Sequence, residues 1–159
     1  MSVLTPINPP RPYVDDSLLA KKIEESQEAT RHEWNEEACL QIAQAFLTRF
    51  GDGFCIAKQL ERYEGWDIER DEMESMDAVW SMFYRAQEEL EREWVESNSI
   101  APLFKIGDSV TFKSHRGVER GLVSQIDKEK AKYIIQAENW DSGGKPIINF
   151  EQVAKVADE

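Results

Sequence analysis

Residues 69–112 read ERDEMESMDAVWSMFYRAQEELEREWVESNSIAPLFKIGDSVTF, and the period of the apolar residues changes partway along them. Met73, Met76, Val79, Trp80, Phe83, Ala86, Leu90 and Trp94 step at three and four residues, which predicts one face of a helix running from about Glu69 to Ser97. Asn98, Ser99 and Pro102 end that pattern, since proline lacks the N–H that a helix would need. Past them Val110 and Phe112 alternate with polar neighbours, the period of a half-buried strand. Helices followed by strands predict an α+β chain divided near Ala101.

Working back from this stretch, residues 54–64 read as a short helix ended by Gly65, which can take the left-handed cap geometry, and Gly51-Asp52-Gly53 breaks the chain before it. From Leu18 to Phe50 there is neither Pro nor Gly, and Leu18, Leu19, Ile23, Trp34, Ala38, Leu40, Ile42, Ala43, Phe46, Leu47 and Phe50 recur at helical spacing. The polar middle, Glu24 to Glu33, leaves open two helices or one helix with an exposed centre. Asp15, Asp16 and Ser17 supply the start, with carboxylates where the helix dipole is positive. Residues 1–14 hold Pro6, Pro9, Pro10 and Pro12 and form an extended arm, whose Leu4, Ile7 and Tyr13 either pack on the body or stay free.

Working forward, Gly121 to Ile126, Tyr133 to Ala137, Ile147 to Phe150 and Val153 to Val156 add four strands. Gly107-Asp108, Arg116-Gly117, Asp127-Lys128 and Ser142-Gly143-Gly144 supply turns between them. Five short strands joined by tight turns suggest a small antiparallel barrel, since closure removes exposed edges. The expected organisation is a proline-rich arm over 1–14, an acidic helical bundle of three or four helices over 15–100, and a five-stranded barrel over 101–159.

The run Phe104-Lys105-Ile106-Gly107-Asp108-Ser109-Val110, with Gly121-Leu122-Val123, Ile126, Tyr133-Ile134-Ile135 and residues 148–153, resembles the small barrels of the Tudor and Src-homology type. That resemblance implies peptide binding, methylated-residue binding, nucleic-acid contact or docking within a larger complex, and fold alone chooses none of them.

The net charge of the 159 residues is -12. Residues 1–100 hold 10 Lys/Arg against 22 Asp/Glu and residues 101–159 hold 9 against 9, so the whole excess lies before Ala101. Such a surface repels phosphate backbones and favours a basic partner or plain solubility. Asp67, Glu69, Asp71, Glu72, Glu74 and Asp77 place six carboxylates in eleven positions, and Glu88, Glu89, Glu91, Glu93 and Glu96 add five on the same predicted helix. Carboxylates repeated on a helix imitate the charge of a nucleic-acid backbone, so these residues are the candidates for contact with a basic surface of a DNA- or RNA-handling complex. In composition the chain resembles small acidic inhibitor proteins of phage and plasmid. The plainer reading is a solvated helix face. Glutamates near a helix C-terminus oppose its dipole by a few tenths of a kcal/mol each, a local inconsistency that suits a functional charge.

In the barrel, Lys113, Arg116, Arg120 and Trp140 are the alternative candidates, for a peptide, a larger assembly or nucleic acid. Lys113, His115, Arg116 and Arg120 surround one turn and Lys128, Lys130 and Lys132 another, with Glu119, Asp127 and Glu129 interleaved as in an ordinary solvated turn. Phe112, Tyr133, Trp140 and Phe150 could form a cation-binding cage but fit core packing better, with Trp140 expected to be exposed.

No Walker loop, Gly-x-Gly-x-x-Gly or Gly-x-Ser-x-Gly elbow is present, so no catalytic residue, nucleotide site or cofactor is expected. His32 and His115 lack partners at metal-ligand spacing and read as surface residues, while Cys39 and Cys55 read as buried free thiols, so no metal is expected. No apolar run approaches the roughly 18 residues of a membrane span, and the N-terminus lacks the pattern of a signal peptide. The expectation is a cytoplasmic, non-enzymatic protein that binds another macromolecule.

Overall fold

A computed structural model describes residues 6–26, 34–140 and 144–156. Leu4, His32 and the Ser142-Gly143 part of the last turn lie outside the described residues.

Three helix starts are capped by side chains, of which Asp15 stands in the start read from the sequence. Asp15 accepts the Leu18 N–H at 2.8 Å to open α1 (Asp16–Glu25). Asn35 does the same for Ala38 at 2.8 Å to open α2 (Glu36–Arg49), and Asp52 for Cys55 at 3.0 Å to open α3 (Gly53–Glu64). Gly65 ends α3 with φ 70°, the left-handed cap expected of it. The predicted run from Glu69 to Ser97 is instead two helices, α4 (Arg70–Met76) and α5 (Ala78–Asn98), separated by Asp77. Asp77 N–H bonds to the Glu74 carbonyl, a tighter turn than an α-helix makes, while its carboxylate accepts the Gly53 N–H at 2.6 Å. Gly53 permits that approach, because a Cβ there would stand 2.2 Å from the Met73 carbonyl oxygen.

The chain falls into two compact units. One, Tyr13–Leu90, buries Leu19, Ile23, Ile42, Phe46, Ile56, Leu60, Met76 and Val79. Cys39 is buried there as expected, but Cys55 is exposed, since the third residue of α3 faces away from this core. The other unit joins the stretch ending at Pro12 to Glu91 and beyond. Residues 6–14 contain neither helix nor strand.

The second unit holds β1 (Ser109–Ser114), β2 (Gly117–Asp127), β3 (Lys132–Ala137), β4 (Ile147–Asn149) and β5 (Val153–Lys155), with a 3-10 turn at Phe150–Gln152 before β5. They form one antiparallel sheet in the order β4-β3-β2-β1-β5. The first half of β2 pairs with β1 and the second half with β3, and a register shift between Val123 and Gln125 bends it. The sheet therefore curls into a half-barrel around Val110, Phe112, Val123, Tyr133, Ile135, Phe150 and Val153, with Trp94 in the same core. The architecture is the expected α+β one, helices first and a small five-stranded barrel-like sheet after them.

Candidate functional site

The acidic segment begins in the turn after α3. Asp67 and Glu69 are exposed there, Asp71 and Glu74 are exposed on α4, and Asp77 is exposed between α4 and α5. Glu74 pairs with Arg70 at 3.2 Å, one helical turn away. Glu72 is half-buried and accepts the indole N–H of Trp34 at 2.9 Å. On α5, Glu88 is half-buried and Glu89 is exposed, with Lys22 at 3.4 Å. Tyr13–Leu90 carries 8 Lys/Arg against 19 Asp/Glu, a net of -11, and the other unit carries 11 against 12, a net of -1. The charge excess is thus a property of the helical unit.

Glu93 and Glu96 are exposed, and Glu96 lines an open cleft of about 570 Å³ with Arg92, Val95, Lys128 and Glu129. Glu91 departs from the expected acidic surface. It is only 2% exposed and pairs with the guanidinium of Arg11 and with Lys132 Nζ at 3.4 Å. Arg11, 7% exposed, also donates to Glu151 at 2.8 Å and to the carbonyls of Lys130 at 2.8 Å and Ala131 at 2.7 Å, and lies 4.8 Å from the centre of the Trp94 ring. The Trp94 indole N–H bonds in turn to the Pro9 carbonyl at 2.9 Å. The cluster thus holds the proline-rich stretch against its own unit, and Glu91 is a buried partner of Arg11 with no face to offer. Its place in the apolar stripe, between Leu90 and Trp94, is the sequence signal of that role.

The barrel candidates divide between two faces of the sheet. Lys113 and Arg120 lie on one face by register, since Lys113 opposes Val118 and Thr111 opposes Arg120. Both are exposed, as are Arg116 and His115 in the hairpin turn. Trp140 is half-buried, not exposed as expected, because it packs on the barrel core and donates its indole N–H to Glu119 at 2.9 Å. Glu119 opposes Phe112, which points to the core, so Trp140 belongs to the other face; the Arg116 guanidinium lies 5.7 Å from its ring centre. Phe112, Tyr133 and Phe150 are buried core residues. Burial raises the Tyr133 hydroxyl above its ordinary 10.0, opposed by the N–H groups of Phe104 and Leu103 that it accepts.

One group of surface residues was not evident from spacing. Phe50, Trp80 and Tyr84 are 45%, 39% and 51% exposed, although Phe50 and Trp80 fall in the apolar runs expected to face the core. Their rings connect through Phe46 and Phe83: Phe46 lies 5.3 Å from Phe50 and 5.6 Å from Trp80, Phe83 lies 5.3 Å from Phe50, and Trp80 lies 5.4 Å from Tyr84. The signal lies in adjacency. Val79 and Trp80 are consecutive and cannot share the centre of one stripe; Val79, Phe83, Ala86 and Leu90 keep the inner line, leaving Trp80 and Tyr84 on the next row out.

Among the described residues, no group of three or more His, Cys, Asp or Glu is placed to hold a metal ion, and no helix is long and apolar enough to cross a membrane. His115 is exposed in its turn. No family model, curated protein or solved structure matches the chain.

Proposed function

We propose that this chain acts by binding rather than by catalysis, its acidic helices occupying a basic surface of a DNA- or RNA-handling complex in the cytoplasm as a decoy for nucleic acid. One observation carries the reading: the unit Tyr13–Leu90 holds a net charge of -11, and Asp67, Glu69, Asp71, Glu74 and Asp77 are exposed within its turn and short helix. Glu93 and Glu96 are exposed carboxylates of the other unit and are tested separately, and Glu91 is buried. Exposed charges steer association and are screened by salt. Binding is therefore expected to weaken steeply between low and high ionic strength. Reversing Glu69, Asp71 and Glu74 to lysine is expected to weaken it at least about tenfold. Salt-dependent pull-down from lysate, followed by titration against the captured protein, measures both; affinity unchanged by reversal rejects the decoy.

A second reading, docking through the curled sheet, draws support from the half-exposed Trp140 beneath Arg116 and from the likeness of the strand pattern to Tudor and Src-homology barrels. It expects Trp140→Ala to abolish capture and charge reversal on α4 to leave capture intact.

A further inference from the structure

We infer that the rings of Phe50, Trp80 and Tyr84 are the anchor for an arginine-bearing segment of the basic partner; this rests on the reading of the acidic helices given above. Three exposed aromatic rings, joined through the buried Phe46 and the half-buried Phe83, form one continuous apolar patch on a unit that is otherwise strongly charged. Trp and Tyr are among the side chains most enriched in interface anchors. Phe50 adds an independent mark. It takes φ 51°, the left-handed conformation that helix ends usually give to glycine, and still presents its ring at the surface.

Charge selects the occupant. A second copy of the chain brings another -12, and a nucleic acid or an anionic lipid surface is likewise repelled by the -11 of this unit. Around the patch, Asp77 stands one turn before Trp80 and Glu88 one turn after Tyr84, with Asp52 two residues past Phe50; Asp77 and Asp52 each hold one backbone N–H with Oδ1, and Arg49 and Arg85 also border the rings. A guanidinium is weakly hydrated and stacks on aromatic faces, which an ammonium does less well. The fold already holds arginines over two other tryptophans, at 4.8 Å on Trp94 and 5.7 Å on Trp140. Trp80 offers an incoming arginine the same kind of ring.

The test uses the full chain and two labelled peptides, alternating arginine and glycine or lysine and glycine, followed by fluorescence anisotropy at low and high salt. The arginine peptide is expected to bind more tightly than the lysine peptide. Trp80→Ala with Tyr84→Ala is expected to weaken the arginine peptide at least about tenfold and to erase the preference, while Trp80→Phe keeps most of it. Tyr84→Ala alone, at a half-exposed helix position, guards against a fold defect, and far-ultraviolet circular dichroism confirms each variant. Glu69→Lys with Glu74→Lys is expected to weaken both peptides alike. If that reversal weakens binding while the ring variants do not, the anchor is overturned and the acidic reading stands. If the ring variants alone weaken it, the anchor stands and the acidic reading falls. Binding of neither peptide at low salt overturns both, and a dimer in sedimentation that Trp80→Ala dissociates overturns the anchor in favour of self-association.

Discussion

Arg11 illustrates how much one side chain can be asked to hold. Its guanidinium meets Glu91, Glu151 and two backbone carbonyls, so its charge is compensated although it lies almost wholly out of water. Arg11→Met removes that compensation and leaves Glu91 with Lys132 alone, which is expected to cost about 3 kcal/mol. Urea unfolding of the variant measures it. Arg11→Met together with Glu91→Leu is expected to recover most of the loss, since an apolar pair of similar size replaces a buried ion pair at little cost. A double variant no more stable than Arg11→Met would show that the damage lies in the contacts with Glu151 and the two carbonyls. The sequence carries half of this arrangement. Glu91 interrupts an apolar stripe, which marks it as odd, but nothing near it names Arg11, which is 80 residues away.

At the level of elements, α3 and the junction of α4 with α5 depend on one close approach. Gly53→Ala would place a methyl group 2.2 Å from the Met73 carbonyl oxygen and 2.7 Å from the Asp77 carboxylate, where backbone has to move. A loss of about 2 kcal/mol is expected, at the size typical of overpacking, with the drop in thermal midpoint as the measurement. This contact also explains why the long helix looks uninterrupted in sequence. Asp77 carries no breaker signal of its own, and its partner Gly53 lies 24 residues upstream. Other elements were legible where local chemistry dictates them, with Asp15 at the start of α1, Gly65 as a stop and alternation in the strands, whereas the caps at Asn35 and Asp52 do not stand out among the polar residues around them. Trp80 and Phe50 were less so, since hydrophobicity tells which residues favour burial but not which of two adjacent ones obtains it.

Across the whole molecule, compact units and secondary-structure boundaries do not coincide. The change from helix to strand falls near Ala101, yet the barrel core includes Trp94, and its buried ion cluster includes Arg11 and Glu91. A fragment of residues 101–159 keeps all five strands but lacks these three side chains. It is expected to show no cooperative thermal unfolding, whereas the full chain does; a sharp transition in the fragment would show that the sheet alone suffices. The Arg11 cluster also orders events in time. Tyr13–Leu90 is contiguous and can condense while synthesis is still under way. Arg11 is made before any of it, yet its contact with Glu151 spans 140 residues and cannot close until Glu151 has been translated. Arg11 thus waits for its partners at Lys130, Ala131 and Glu151 through most of synthesis, and its cluster is among the last native contacts the chain can complete.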